Sequence, residues 1–187
     1  MAKVIRTSVI LLALVCVLQL VYVFFVTGIA QTFMPYQANG SLLYVDGKVV
    51  GSELIGQSFT SPGYFHGRPS AVDYDSAESG GSNYGPTSAE LMKQVRQRIE
   101  RVRRENGLPP DAPVPADLVL ASGSGLDPHI SVEGTMLQVP RVATARGLPE
   151  SEVKALVEQH IEYPQFGVLG REHLNVLKLN IALDEVK

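Results

Sequence analysis

Four closely spaced residues in the second half of the chain have side chains suited to nucleophilic or acid–base chemistry. They are Ser122, Ser124, Asp127 and His129. A serine, a histidine and an aspartate can together activate a hydroxyl for attack on an acyl group. The Gly-x-Ser-x-Gly spacing of a nucleophile elbow is absent around both serines, and Pro128 indicates a rigid turn between the aspartate and the histidine. We therefore predict no catalytic residues and keep an exported serine hydrolase as an alternative function.

The histidines are scattered along the sequence, at His66, His129, His160 and His173. A metal site requires three or four ligands that converge, and no His-x-x-x-His pair occurs in the chain. Each histidine is accordingly interpreted as a structural or surface residue. The sequence predicts no metal site and no resident cofactor.

Two glycine-rich segments could allow phosphate groups to approach the backbone. No Gly-x-x-x-x-Gly-Lys motif occurs, and Gly123-Ser124-Gly125 lacks the third glycine of a dinucleotide-binding loop. The Ser-Gly-Gly-Ser sequence at 79–82 is loosely similar to the signature loop of ABC transporter ATPases. That signal is weak, because glycine-rich turns also form for conformational reasons alone.

An apolar segment near the N-terminus decides where this chemistry would be located. Val9 to Val26 is a run of eighteen residues without a charge, and Lys3 and Arg6 precede it. About 20 helical residues cross the hydrocarbon core of a bilayer, and flanking cations favour the cytoplasmic side. We predict a single-pass protein of the plasma (inner) membrane. Its parts are a cytoplasmic N-terminus at 1–7, a transmembrane helix at 8–30 and an extracytoplasmic domain at 31–187.

A cleaved signal peptide is the alternative interpretation of this segment. Gly28-Ile29-Ala30 is a small-x-small triplet, and cleavage after it would release a soluble periplasmic binding module. The apolar run exceeds the roughly 7–15 residues of a signal-peptide core, which favours a retained anchor. Gln19 would lie near the middle of the membrane, where an amide can bind a neighbouring helix. We therefore name Gln19 as a candidate partner contact.

The domain after the anchor is mildly acidic. The whole chain has a net charge of −3, which becomes −5 without Lys3 and Arg6. This balance argues against nucleic acid as a partner. Cys16 is the single cysteine and lies in the apolar run, so the domain cannot form a disulfide and depends on packing or on a partner.

Local patterns predict a mixed α/β domain. Asp46-Gly47 between two short apolar runs is typical of a hairpin turn. Helical periodicity and caps indicate three helices, and a loosely alternating apolar run indicates a buried strand. The helices are predicted from a capping box at Thr87 and Glu90 to Asn106, from Val132 to Arg146, and from about Pro149 to His160, and the strand from Val176 to Leu183.

A further set of ungapped blocks lies at 64–71, 79–83, 85–87, 121–131, 141–143, 145–147, 169–170, 175–177 and 179–180. Together these blocks resemble the C subunit of the Kdp potassium-transporting ATPase. The resemblance covers nearly the whole chain, including the single N-terminal span.

This resemblance implies a non-catalytic accessory subunit of an ATP-driven potassium importer. Its implied partners are a channel-like subunit that selects K⁺ and a P-type ATPase subunit that forms the aspartyl-phosphate, together with the lipid bilayer. It further implies a catalytic chaperone that raises the affinity of the ATPase subunit for ATP. ATP would act through the complex, and K⁺ would be the transported ion. The chain has no Asp-Lys-Thr-Gly phosphorylation motif, in agreement with that role.

The loop at 61–87 supplies the candidate site residues. It is rich in Gly, Ser and Pro but also carries aromatic side chains, which favours an ordered loop over a flexible linker. Aromatic residues and arginine dominate the energetics of protein contacts, and packing inside the domain is the alternative. The predicted docking residues are Tyr64, Phe65, Arg68 and Tyr74. The resemblance places its candidate nucleotide site at Ser79, Gly80, Gly81, Ser82 and Asn83.

Overall fold

A single long helix forms most of the first part of the chain. The computed structural model describes residues 1–186, and its first unit ends at Leu42. Helix α1 runs from Ala2 to Phe33 without a buried residue, and α2 covers Pro35–Ala38. Among the described residues, α1 is the one helix long and apolar enough to cross a membrane. At about 48 Å it exceeds a hydrocarbon core, so the bilayer boundaries at 8 and 30 stay a prediction.

The predicted hairpin spans the start of the second unit, which begins at Leu43. Strand β1 covers Leu42–Val45 and β2 covers Lys48–Ser52, and the two pair as a two-stranded sheet. The turn residues Asp46 and Gly47 have φ angles of 50° and 74°. Two successive positive φ angles suit the right-handed twist of the strands, which is why Asp-Gly predicted this turn correctly.

Helix α3 covers Ala89–Glu105, with a cap one residue later than predicted. The Ser88 side chain, and not that of Thr87, accepts a hydrogen bond from the Leu91 amide. Val102 on this helix packs with Leu118 and Val119 beside a 3₁₀ turn. This small cluster attaches α3 to the segment that leads into the rest of the domain.

The remaining elements form the main part of the domain. Strand β3 (His129–Ser131) leads into α4 (Val132–Arg146), α5 (Glu150–Gln159), β4 (His173–Asn175) and α6 (Val176–Glu185). Gly147 ends α4 in the left-handed conformation, with φ 68°, as its position in the sequence predicts. The predictions for α4 and α5 are confirmed to within one or two residues.

The predicted strand from Val176 to Leu183 is wrong, because this segment is helix α6. Asn175 caps its start and accepts a hydrogen bond from the Lys178 amide at 3.1 Å. Val176, Leu179 and Leu183 fall on one helical face and are all buried. A helix with one apolar face and an unusually apolar remainder resembles a buried strand when it is short.

The hydrophobic core lies between these helices and the β3–β4 pair. The two strands are antiparallel, with Ile130 paired to Leu174 at their centre. Both side chains enter the core, which also contains apolar residues of α4, α5 and α6. One apolar N-terminal helix followed by a compact α/β region is the fold that the sequence predicts.

Candidate functional site

Residues 53–88, here called the long loop, connect β2 to α3 without a helix or strand of their own. Two buried amide side chains hold its backbone. Asn180 accepts from the Phe65 amide at 2.8 Å and donates to the Phe65 carbonyl at 2.9 Å. Gln138 forms the same pair with His66, at 2.8 and 3.1 Å. Each amide replaces a strand partner, so the loop is ordered as predicted.

Arg141 of α4 holds the same loop by its carbonyl groups. Its guanidinium donates to the carbonyls of Pro62 and Tyr64, to Asn106 Oδ1 at 2.9 Å and to Gln138 Oε1 at 2.7 Å. A guanidinium presents five donors in a fixed plane, which lets one side chain bind four acceptors. Arg141 therefore joins the long loop to α3 and α4.

Phe65 is not a docking residue, because its side chain is fully buried in the hydrophobic core. Burial of an aromatic ring in the domain itself stabilises the fold and removes the ring from any partner. Its neighbour Tyr64 is partly exposed. The Tyr64 hydroxyl donates to Asp184 Oδ2 at 3.0 Å, and the Arg146 guanidinium lies 4.7 Å from its ring centre. Tyr64 thus stays a predicted partner contact.

Arg68 and Tyr74 bind each other and the turn before β3. Arg68 Nη1 donates to Asp127 Oδ2 at 2.8 Å, and the Tyr74 hydroxyl donates to the Arg68 carbonyl. Burial alone would raise the pKa of Asp127, but hydrogen bonds from His129 and Arg68 outweigh it and lower that pKa to about 2. The buried Nε of Arg68 has no hydrogen-bond partner among the described residues. Both side chains are partly buried, and their contact with a partner remains a prediction.

The candidate nucleotide residues pack against the turn at 122–125. The Gly80 amide donates to the Ser124 carbonyl at 2.9 Å, and Ser79 Oγ donates to the same oxygen at 3.2 Å. Gly125 has φ 68°, and a Cβ there would lie 2.7 Å from the Gly80 carbonyl oxygen. Ser82 and Asn83 are exposed. Since the Gly80 amide is already engaged, nucleotide binding by this loop rests on the resemblance alone.

The serine hydroxyls of this turn serve the backbone. Ser122 Oγ accepts from the Gly125 amide at 2.9 Å, and Ser124 Oγ accepts from the Leu126 amide at 3.1 Å. Among residues 1–186, no hydrogen bond joins either hydroxyl to His129. The arrangement is that of a tight turn and does not activate a nucleophile.

A cleft of about 380 Å³ lies between the long loop and α3. Its lining includes three arginines and two carboxylates: Arg68, Arg98, Arg101, Asp73 and Glu105. His66 forms part of the wall, where burial, and then the charge of Arg141, lower its pKa. The cleft therefore presents cationic donors beside an imidazole whose pKa lies below its usual value.

The strands bring together residues that are far apart in the sequence. The rings of His129 and His173 lie 4.5 Å apart edge to face, and Glu162 Oε2 lies 3.6 Å from His173 Nε2. The interpretation of the histidines as scattered is wrong for these two, because antiparallel pairing of β3 with β4 joins distant segments. The cluster depends on this pairing and its register, and the spacing of the histidines in the sequence gives no signal of it.

A second feature missed in the sequence is an exposed apolar turn, residues 163–169, here called the apolar tip. Phe166 is 91% exposed and Val168 is 77% exposed. The turn is closed by a hydrogen bond of 3.0 Å from the Gln165 amide to the Leu169 carbonyl. Apolar residues between Pro164 and Gly170 were its only sequence signal, since turns are usually polar.

Comparisons with known proteins agree with one another. Residues 4–185 match the family described as KdpC, the K⁺-transporting ATPase c chain. A potassium-transporting ATPase KdpC subunit of Nitratidesulfovibrio vulgaris is 53% identical over 96% of this chain and 92% of its own length. KdpC subunits of Caldanaerobacter subterraneus and Rhodopseudomonas palustris are each 50% identical, over 97% and 98% of this chain and 95% and 98% of their own lengths.

Proposed function

This chain belongs to the KdpC family of K⁺-transporting ATPase c chains, and we propose that it is a non-catalytic accessory subunit that stabilises such a complex in the membrane. The observation that carries the proposal is α1. Its apolar side chains are exposed along its whole length, from Val4 to Phe33. Exposed apolar surface of this extent requires lipid or partner helices to cover it.

The proposed orientation places the N-terminus in the cytoplasm. Lys3 and Arg6 precede the apolar run, and no acidic residue occurs before Asp46. The positive-inside bias then puts the second unit outside the cytoplasm. Two reporters can be fused after the last residue. A reporter that works only outside the cytoplasm should be active, and a reporter that works only inside the cytoplasm should be silent.

Two larger subunits are the proposed partners. One is the channel-like subunit that binds K⁺, and the other is the P-type ATPase subunit. We assign the docking of the exported domain on the channel-like subunit to the apolar tip, together with the partly exposed Tyr64. Covering the Phe166 ring would contribute about 2 kcal/mol. Gln19 in α1 is the corresponding candidate inside the membrane, where an amide can hydrogen-bond to a neighbouring helix.

The proposed effect on ATP affinity is indirect. With the second unit outside, Ser79 to Asn83 cannot reach cytosolic ATP, and the chain would raise ATP affinity by holding the ATPase subunit in its assembled conformation. Loss of the chain should then raise the KM for ATP of the remaining subunits. A photoreactive ATP analogue should label the ATPase subunit. Label on residues 79–83 would show direct contact with ATP and contradict the indirect effect.

The experiment that tests the proposed function is K⁺ uptake by cells whose K⁺-transporting ATPase lacks only its c chain. The full chain should restore uptake that depends on ATP. A chain whose α1 is replaced by a cleavable signal peptide should be exported but should restore much less. Full restoration by the released domain would show that the membrane helix has no part in the function.

A further inference from the structure

The register of the β3–β4 pair places two histidines on one face. Ser131 pairs with His173, and His129 pairs with Asn175. Directly opposed residues of an antiparallel pair point to the same side, and so do residues two positions apart along a strand. His129 and His173 are thus diagonal neighbours. Glu162 forms an antiparallel bridge with His173 and joins them from the other side.

The three side chains converge to the dimensions of a metal site. One ligand atom from each lies within 4.8 Å of the others. The separation of His173 Nε2 from Glu162 Oε2 is 3.6 Å. Two ligands at about 2.05 Å from a tetrahedral zinc ion are about 3.4 Å apart, so this pair needs little adjustment. The other two distances both involve His129 and are at most 4.8 Å, so they must shorten by no more than about 1.4 Å for tetrahedral zinc, and the His129 side chain is 36% exposed.

The contacts of the Nδ1 atoms of His129 and His173 leave the Nε2 atoms of both rings without a proton and able to bind a metal ion. His173 Nδ1 donates to the Arg171 carbonyl at 2.8 Å, and His129 Nδ1 lies 3.5 Å from Asp127 Oδ1. A carbonyl or carboxylate at Nδ1 fixes the imidazole tautomer in which Nε2 carries the free lone pair. Both Nε2 atoms are therefore available as ligands.

The two carboxylate oxygens of Glu162 contact different neighbours. Its Oε1 accepts a hydrogen bond from Lys178 Nζ at 3.2 Å, while Oε2 faces His173. Lys178 also pairs with Glu53 at 2.8 Å, so it keeps a carboxylate partner whatever Glu162 binds. The lysine orients the carboxylate, and its positive charge opposes a cation nearby.

We propose that His129, His173 and Glu162 form a binding site for a divalent transition-metal ion. Two imidazoles and a carboxylate suit Zn²⁺ better than the oxygen-seeking Ca²⁺ or Mg²⁺. The side chains are 35–41% exposed, which leaves room for a water molecule as fourth ligand. A bound ion would connect β3, β4 and the segment that carries Glu162.

The test is titration of the purified full chain in detergent with Zn²⁺, followed by calorimetry, and with Co²⁺, followed by visible absorption. We expect one ion per chain and the intense bands of tetrahedral cobalt. His129→Gln, His173→Gln and Glu162→Gln should each weaken Zn²⁺ binding at least tenfold. His160→Gln and Cys16→Ser are the matched controls and should leave the affinity unchanged.

Lys178→Met should change the affinity for Zn²⁺ in the opposite direction from the three ligand substitutions. Removing this charge should tighten Zn²⁺ binding several-fold, which loss of folding cannot produce. The proposal is overturned if the three ligand substitutions leave Zn²⁺ affinity within twofold of the original chain, or if the Co²⁺ spectrum is that of the hydrated ion. Weaker binding by Lys178→Met would also overturn the proposal, because a cation held by Glu162 must bind more tightly when the neighbouring lysine charge is removed.

Discussion

Single polar side chains give the long loop its shape. Asn180, Gln138 and Arg141 supply the hydrogen-bond partners that a neighbouring strand would otherwise provide. A buried backbone group without a partner costs about 1–3 kcal/mol, so these three residues determine which loop conformation is stable. The aromatic residues of the loop correctly predict that it is ordered. The burial of Phe65 shows that residue type alone does not distinguish an aromatic ring of the core from one that contacts a partner.

Arg141→Met should lower the free energy of unfolding by about 3 kcal/mol. Methionine keeps the apolar stem but removes the donor to the Pro62 and Tyr64 carbonyls and to Asn106 Oδ1, while Gln138 Oε1 still accepts from the His66 amide. Denaturant unfolding of the full chain in detergent, followed by tyrosine fluorescence, measures the change. Arg104→Met, at an exposed position of α3, is the control and should change stability by less than about 0.5 kcal/mol. Equal effects of the two substitutions would contradict the role of Arg141.

His66 predicts a dependence of stability on pH. Burial, and then the charge of Arg141, lower its pKa below 6.5, while the Ser61 carbonyl and Glu105 oppose this and Arg101 adds to it. The unfolded chain therefore takes up a proton that the folded chain does not, as pH falls through 6.5. This contribution destabilises the fold on the acid side and is absent above about pH 7.5.

The measurement is the free energy of unfolding at pH 7.5 and pH 5.5 for the original chain and for His66→Gln. Glutamine can still donate to the Ser61 carbonyl but does not titrate in this range. The original chain should lose more stability than the variant between the two pH values. Equal losses would show that His66 is protonated alike in the folded and unfolded states.

At the scale of elements, the sequence predicts those segments whose ends carry local signals. Gly147 ends α4 and Asp46-Gly47 forms the hairpin turn, each because a positive φ is required there. The start of helix α6 has no clear local signal, because its cap, Asn175, follows directly on a strand of three residues and no turn residue separates them. The cluster of His129 and His173 could not be predicted, because it depends on a pairing between distant segments and not on spacing.

Asn175 links the start of α6 to the long loop, and two substitutions separate its contacts. It caps α6 by accepting from the Lys178 amide and donates to the Glu53 carbonyl at 2.7 Å. Asn175→Ala should cost about 2 kcal/mol, because both bonds are lost. Asn175→Asp keeps the cap and should cost about 1 kcal/mol. Thermal unfolding followed by circular dichroism measures both, and equal losses would show that the cap contributes nothing.

At the scale of the whole molecule, the two units have different requirements. The second unit buries a core of its own, whereas α1 exposes bulky apolar side chains over its whole length. A buried core is a condition for folding in water. An exposed apolar helix is a condition for insertion in lipid or between other helices. A chain of this design can present a folded domain at the membrane while its helix joins other membrane segments. The family to which it belongs is named for a transport complex, and this division of the chain suits a subunit that acts by contact.

The decisive measurement is the subunit composition of the complex that is extracted from the membrane together with the full chain. After extraction in mild detergent, the chain should elute with two larger multi-span subunits in a fixed ratio. Phe166→Ser should reduce the fraction of the channel-like subunit retained, while Met92→Ser, at another exposed apolar position, should not. Elution of the chain alone, while the other two subunits remain together, would contradict its role in holding them.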